Sequence, residues 1–514
     1  MAKFSIVTPV YNPPAAALKA CIASMRSQTF RDWEWCIVDD KSSAPHVRKI
    51  LDKAQRGDAR IRVSYREQNG GIVAASQDAL DLVTGEFIGL LDHDDALHAT
   101  ALQKVAARLD TDSTIDYLYT DEDKLDENGL HYDVFRKPGW DKERLRGQNY
   151  CCHFSVFRAT LLDKVGGFRQ GFEGSQDYDI ILRATEQART IAHIPEVLYH
   201  WRCVPGSAAA ATDAKPYAYE SGRKALQEHF ARCGIDATVE MSLPGHYQHR
   251  LNKLKESPLV SIIIPTRGDR KRVWGITTCL VVNAIESIIK TSTYSNFEVV
   301  VVNDVNLDGT SIHAFDAPSD ARVRIISYDK QFNFSDKCNV GFFASKGEVV
   351  IMLNDDTQVI TPDWIEQLIG HLEDPEVAMV GPMLLLEDGR IQSAGHTNKP
   401  TPSHIGSGES GSAYGMWGMY TIARSISGLT AACVAIRRSV FEEMGGFSLE
   451  YPINFNDVDF CFKVLDAGYR IVWTPMARLY HFESMTRVLS VDQIEINALE
   501  KRWKRYFGVD VYTP

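Results

Sequence analysis

Phe87-Ile88-Gly89-Leu90-Leu91-Asp92-His93-Asp94-Asp95 and Val349-Val350-Ile351-Met352-Leu353-Asn354-Asp355-Asp356 are the two stretches on which the fold turns. Each is a short apolar run that stops at carboxylates. Such a run, bounded by polar residues, reads as a buried strand with its acids at the carboxyl end. Working outward, an apolar run opens each copy (Ile6-Val7-Thr8-Pro9 and Ile262-Ile263-Ile264-Pro265), and a second ends in Val38-Asp39-Asp40 or Val302-Asn303-Asp304. Downstream, Gly166-Gly167-Phe168 precedes Asp177, Asp179 and His200, and Gly445-Gly446-Phe447 precedes Asp457, Asp459 and His481.

Helical patterns separate the runs. Ala15 to Ser27 places Leu18, Ile22 and Met25 on one face after the Asn12-Pro13-Pro14 break, and Gly71 to Leu82 reads the same way. Ile61 to Tyr65 is a further strand. In the second copy, strands are expected at Leu259–Ile264, Phe297–Val302, Val323–Ser327 and Val349–Leu353, and helices at Thr278–Lys290 and Ser335–Ser345. This alternation predicts an α/β fold class, two tandem domains each with a mostly parallel sheet flanked by helices and a ligand site at the strands' carboxyl ends.

A chain of 514 residues exceeds one ordinary core. Pro216 to Cys233 reads as a helix and His246 to Pro258 as a polar connector, giving domains at 1–250 and 251–514. The copies are 256 residues apart at Pro9/Pro265, 262 at Asp94/Asp356 and 280 at Asp177/Asp457, so insertions fall mainly between the third strand and the late acidic cluster.

The formal charge of -11 argues against a nucleic-acid surface, which relies on excess Lys and Arg. The ten cysteines form no CxxC pair to suggest a zinc knuckle or redox centre, and several sit in apolar contexts that read as buried thiols. The strand pattern starts at Phe4, leaving no room for a signal peptide, and no 18-residue apolar stretch supplies a membrane span. A cytoplasmic location is expected, at or near the inner face of the cell membrane.

Carboxylates such as Asp92 and Asp94 at a strand end can share a divalent cation with a diphosphate, offsetting its charge. Read alone, the same residues make a solvated turn or helix cap. Five landmarks in the same order, found twice, favour the first reading. On these residues both halves resemble the family 2 glycosyltransferases of the GT-A fold, and their pairing resembles tandem bacterial enzymes that build O-antigen, capsule or related polysaccharides. The resemblance covers roughly residues 4–240 and 259–500.

What the resemblance implies is specific. Asp94 and Asp356, with His200 and His481, would hold Mn2+ or Mg2+; Asp92 would lie nearer the sugar or ribose, with Asp95 as an accessory. Asn354 replaces the first carboxylate in the second copy, which loses one charge. Asp39, Asp40, Asn303 and Asp304 would read the base of a UDP-, dTDP- or GDP-sugar. Thr8, Pro9 and Tyr11 would wall one base pocket, and Pro265, Thr266 and Arg267 the other. Asp177 and Asp457 would deprotonate the acceptor hydroxyl. The residues before them, Gln176 and Asn456, stand where the family often carries Glu. Asp179 and Asp459 read as helix anchors. Trp201 and Arg202 would cover the donor diphosphate, with Ser484–Arg487 as the second copy's lid.

Two segments keep two readings. Gly406–Gly428, with Tyr414, Trp417 and Tyr420, reads as an acceptor loop or as a loop closing over the core. Lys501–Phe507 reads as a peripheral membrane or partner contact, or as a solvated terminal helix. Expected partners are a glycan or lipid-linked oligosaccharide acceptor and other polysaccharide assembly enzymes, with no nucleic acid. The different-class alternatives are a sugar nucleotidyltransferase and a non-catalytic glycan-binding scaffold. Pro9–Ala17 has neither Gly nor Arg, which argues against the nucleotidyltransferase's basic, Gly-rich loop. A scaffold has little use for two separated acidic clusters.

Overall fold

A computed structural model of the chain describes residues 2–126, 128–203, 216–306, 309–482 and 493–513. The expected lid at Ser484–Arg487 lies outside the described residues. The first sheet contains β1 (Phe4–Val10), β2 (Trp33–Asp39), β3 (Ile61–Tyr65), β4 (Phe87–Leu90), β5 (Ala96–Leu97), β6 (Ile115–Leu125), β7 (His131–Phe135), β8 (Ser155–Arg158) and β9 (Thr190–Arg202). Its spatial order is β3-β2-β1-β4-β8-β6-β9-β5, with β7 paired to β6. The strands β3, β2, β1 and β4 run parallel, β8 is antiparallel to both neighbours, and β6 and β9 are parallel again.

The second sheet repeats that order with Val323–Tyr328, Phe297–Asp304, Val260–Thr266, Val349–Leu353, Cys433–Arg437, Val377–Leu385, Arg470–His481 and Thr357–Val359. Both sheets are buried on two faces, and that explains the unbroken apolar runs. In the first, Ile6, Trp35 and Ile37 pack with Leu18, Ile22 and Met25 of the helix Ala15–Arg26 on one side. Val7 and Val38 pack with Val73 and Ala79 of the helix Gly71–Leu80 on the other.

Two expectations need correction. His246–Lys253 is a strand paired antiparallel with Asp236–Leu243. Its alternation is real, but the inward positions are Tyr247, His249 and Leu251, so a polar composition disguised it. The helix expected from Thr278 begins at Leu280, because Arg270–Val273 and Ile276–Cys279 form a hairpin before it.

The domains are joined by buried polar contacts. Asp141 caps the short helix Lys142–Leu145 by accepting from the N–H groups of Glu143 and Arg144. The same carboxylate accepts from the Ser425 N–H and hydroxyl, each at 2.8 Å, across the domain boundary. Lys142 and Arg470 both pair with Asp374 at 2.7 Å. Gln248 Nε2 donates to the Thr421 carbonyl at 2.9 Å, and the Trp417 ring stacks on Phe135 at 4.4 Å. A cavity of about 380 Å³ in this interface is lined by Glu143, His229, His249 and His371, and by none of the acidic-turn residues.

Candidate active site

In the first sheet the acidic turn is pinned at the centre. Leu91 N–H donates to the Val7 carbonyl at 3.1 Å, and the Thr8 hydroxyl donates to the Leu91 carbonyl at 2.7 Å. Asp94 keeps a fifth of its side chain exposed, 20%, at the mouth of the turn. Asp95 points inward and accepts from the Tyr199 hydroxyl at 2.5 Å and the Arg202 N–H at 2.7 Å. Burial, with Asp92 and Asp94 adding to it, pushes its carboxyl well above the usual range. Asp95 therefore ties the turn to β9. Arg202 also donates through Nε to the Asp94 carbonyl at 2.9 Å, and Trp201 packs beside the turn.

Asp177 lies at the start of the helix Gln176–Thr185, where the Asn149 amide donates to it at 2.8 Å. Burial raises its carboxyl, an effect that the nearby His153 opposes. Asp179 instead anchors that helix, fully buried between Arg169 and Arg183. At the strand ends Asp39 accepts from the Ser42 N–H at 3.3 Å, and Asp40 accepts from the Gly70 and Gly71 N–H groups at 2.9 and 2.8 Å. Pro9 and the half-exposed Tyr11 flank this end of the sheet.

The second site is built from the same strand positions. Asp356 Oδ1 lies 3.2 Å from His481 Nε2, and Asn354 Nδ2 lies 3.4 Å from that nitrogen. Asn354 Oδ1 is buried and has no hydrogen-bond partner among the described residues. Burial would raise Asp356, but His481 beside it holds its carboxyl below the usual range. Burial and Asp356 push the neighbouring Asp355 up to about 7, although the Thr266 hydroxyl donates to it at 2.6 Å. An orphaned amide oxygen, a carboxylate and an imidazole are a donor set that suits a divalent cation such as Mn2+ or Mg2+. Asp457 starts the helix Asn456–Asp466 and accepts from the Ala431 N–H at 3.1 Å. Asp459 takes the Trp503 indole at 2.7 Å and serves as the anchor. Asp304 pairs with Lys337 at 2.7 Å, and Asn303 bonds Ser311 at 2.9 Å. Pro265 and Thr266 are buried, while Arg267 is exposed in the place of Tyr11.

His200 has a different setting from His481. Glu122 faces Tyr199 in the first sheet and Leu384 faces Leu479 in the second; Leu97 faces Tyr199 and Val359 faces Leu479. Tyr199 therefore matches Leu479, His200 matches Tyr480, and Trp201 matches His481. A one-residue step turns a strand side chain to the opposite face. His200 Nδ1 accordingly meets Asp123 at 2.7 Å, together with His131, which lies 2.8 Å from the same carboxylate. The structure does not bring His200 together with Asp94 as it brings His481 together with Asp356.

A model of glycosyl transferase family 2 matches residues 5–166 and 261–445. The chain belongs to that family. Among curated proteins it is 40% identical over 534 residues to an uncharacterised protein, y4gI, of Sinorhizobium fredii, covering 99% of this chain and 57% of that protein. It is 35% identical over 493 residues to the O-antigen biosynthesis protein RfbC of Myxococcus xanthus, covering 94% of this chain and 37% of that one. A chondroitin synthase of Escherichia coli is 31% identical over 197 residues, 38% of this chain and 28% of that enzyme. The chain thus spans only part of the length of each of these relatives. Both matched segments of this family 2 glycosyltransferase include one acidic turn, and each stops short of the base candidate.

Sequence reasoning missed one group at the first site. Glu122 and Lys137 form a buried pair at 2.9 Å, and Glu122 also accepts from the His153 N–H at 2.6 Å and lies 3.1 Å from its Nδ1. Burial would raise Glu122, but Lys137 and His153 bring it down to about 2. The signal was present as buried-strand charges, Asp121-Glu122-Asp123-Lys124, with no apolar reason to be there. Two other segments resolve. Trp417 is taken by the domain interface while Tyr414 stays exposed, and Trp503, Tyr506 and Phe507 pack against Phe462, leaving only the basic side of the terminal segment outward. Among the described residues no helix is long and apolar enough to cross a membrane.

Proposed function

We propose that the chain is an inverting, metal-dependent glycosyltransferase with two active domains, each adding one linkage to a growing bacterial surface glycan. The observation that carries this reading is the repeat of an acidic turn and an aspartate at a helix start, Asp94 with Asp177 and Asp356 with Asp457: Asp92 of the first turn acts electrostatically on Asp177, and the adjacent Ala431 and Ala432 bond Asp457 and Asn354 in the second. The O-antigen biosynthesis relative supports the choice of product class. A lipid-linked acceptor at the inner membrane face fits the same reading.

Asp94 with Asp92, and Asp356 with Asn354 and His481, would hold the divalent cation. Bound there, it supplies positive charge to the leaving nucleoside diphosphate. Tyr11 and Arg267 cover the base, and the strand ends at Asp39–Asp40 and Asn303–Asp304 set its edge. Asp177 and Asp457 take the acceptor hydroxyl's proton as its oxygen attacks the anomeric carbon from the face opposite the leaving diphosphate, inverting that centre. Their separation from the acidic turns leaves their charge available for this task. Burial that raises Asp177 makes it a better proton acceptor than an exposed aspartate.

A second reading, in which only the N-terminal domain transfers and the other binds acceptor, rests on Asn354 in place of Asp92. Transfer from labelled UDP-, GDP- and dTDP-sugars to a panel of lipid-linked acceptors, with and without Mn2+, tests both. Two linkages, each lost with its own base, uphold the proposal; one linkage, lost only in Asp177→Asn, upholds the second reading. Glycan binding without transfer under every condition points to a scaffold.

A further inference from the structure

We propose that His153 supplies the imidazole ligand of the N-terminal site's cation, the place that His481 holds in the C-terminal site. This rests on the two-site reading above. Strand register puts Trp201 where His481 stands, and His200 on the far face with Asp123 and His131. The first site therefore has no imidazole from β9. One arrives instead from the segment just before β8, two strands away from β9.

Ile88 faces Phe157 in the first sheet as Val350 faces Ile436 in the second, so His153, four residues before Phe157, matches Ala432. In the second domain that position touches the acidic turn, the Asn354 N–H donating to the Ala432 carbonyl at 3.0 Å; in the first the Asp92 N–H donates instead to the Tyr199 hydroxyl at 3.4 Å, and Tyr199 is the ring on which His153 stacks. Ala432 brings only a methyl group there, and His153 brings a ring. The ring is held on three sides. It stacks on Tyr199 at 5.3 Å, packs on Trp201 at 4.6 Å, and turns Nδ1 to Glu122 at 3.1 Å. Lys137, buried and 2.9 Å from Glu122, fixes that carboxylate in turn.

A metal-ligating histidine usually donates its other ring N–H to a carboxylate, which sets the tautomer and aims the remaining lone pair. Glu122 does this for His153 and leaves Nε2 as the ligand atom. Its side chain keeps 19% exposure, and the Tyr199 ring on which it stacks donates its hydroxyl to Asp95 of the turn at 2.5 Å. The two domains thus exchange residues: His153 with Trp201 in one, Ala432 with His481 in the other. The first turn also holds an imidazole of its own, His93, whose Nε2 lies 3.8 Å from Asp94 Oδ1 and whose Nδ1 meets the Pro9 carbonyl at 3.0 Å; His153 adds a second ring from the side of Glu122.

Mn2+ binding to the full chain, followed by electron paramagnetic resonance with UDP, GDP or dTDP present, tests this without reference to transfer. The wild-type chain should bind two Mn2+–nucleotide pairs. His153→Gln should weaken one by at least about tenfold, and His481→Gln the other. Trp201→His in the His153→Gln background should recover the lost site, because it restores the β9 imidazole. Unchanged Mn2+ affinity in His153→Gln overturns the proposal, as does a loss that Trp201→His fails to recover, which marks a packing role. A wild-type chain that binds no Mn2+–nucleotide pair overturns the two-site reading itself and this proposal with it.

Discussion

In the N-terminal domain Asp177 is held by a side-chain amide from Asn149, within a neighbourhood of Glu122, Lys137 and His153; in the C-terminal domain Asp457 is held by the backbone of Ala431, within Thr430-Ala431-Ala432. The strands around these groups follow the same spatial order in both sheets. Backbone geometry was thus retained while the polar groups around it were redistributed. Strand pairing tolerates such exchange because the ladder is made by main-chain groups, and each side chain needs only to fill its own face. Two halves of one architecture can therefore differ in the charged groups around their acidic turns.

The largest expected effect separates the halves outright. Asp177→Asn should lower one transfer by about a thousandfold or more while leaving the other, and Asp457→Asn should do the reverse, since a positioned base contributes on the order of 10²–10⁴ in rate. Linkage analysis of the products reads both. Products unchanged by Asp457→Asn would break the symmetry of the comparison. Next in size, Asn354→Asp restores the missing carboxylate and should tighten Mn2+ at the C-terminal site by about tenfold, roughly 1.4 kcal/mol, seen by calorimetry. No change would mean that the amide oxygen already serves as well as a charge.

A smaller effect concerns the base. Tyr11→Ala should raise the donor KM of the N-terminal transfer by roughly five- to tenfold, in line with about 1–3 kcal/mol for an aromatic–base stack, and leave the C-terminal KM untouched. Arg267→Ala should do the converse. Equal effects of either change on both transfers would contradict independent pockets. The smallest effect at neutral pH tests whether the halves melt together. Burial, with His371 next to it, brings His249 at the interface down to about 3, against about 6.5 when unfolded. The unfolded chain then binds the extra proton, so stability falls as pH drops from about 6.5 toward 3, by about 0.8 kcal/mol at pH 6. Glu143, Arg146 and His229 face the same imidazole and shape the acid limb with it. His249→Phe should flatten this limb in thermal unfolding at pH 5–7; an unaltered slope would assign it to other groups.

Much of this was legible from sequence. The acidic turns announce themselves because buried parallel strands need continuous apolar runs, and carboxylates can only follow where those runs reach solvent. Ile61–Tyr65 and Val349–Leu353 fall where their composition puts them. The strand His246–Lys253 does not read as one, because its inward face carries Tyr247 and His249, and its Leu251 backbone is bonded by the distant Gln367 side chain. The contrast between His200 and His481 was present as a single residue: 23 positions separate Asp177 from His200, and 24 separate Asp457 from His481. In a loop that difference means little. In a strand it reverses the face, and only the pairing register reveals which applies. His153 carried no repeat to mark it, since its counterpart is Ala432.

The Asp141 carboxylate, which caps a helix in one domain while gripping Ser425 in the other, also bears on how a glycan would travel. Loosening that grip would leave the Ser425 N–H and hydroxyl without their acceptor and the carboxylate with its cap bonds alone, so hinge motion at this seam is costly. On the two-site reading proposed above, the two acidic turns would keep a fixed spacing. The growing glycan would then do the moving, swinging its free end from one turn to the other on its own flexible links.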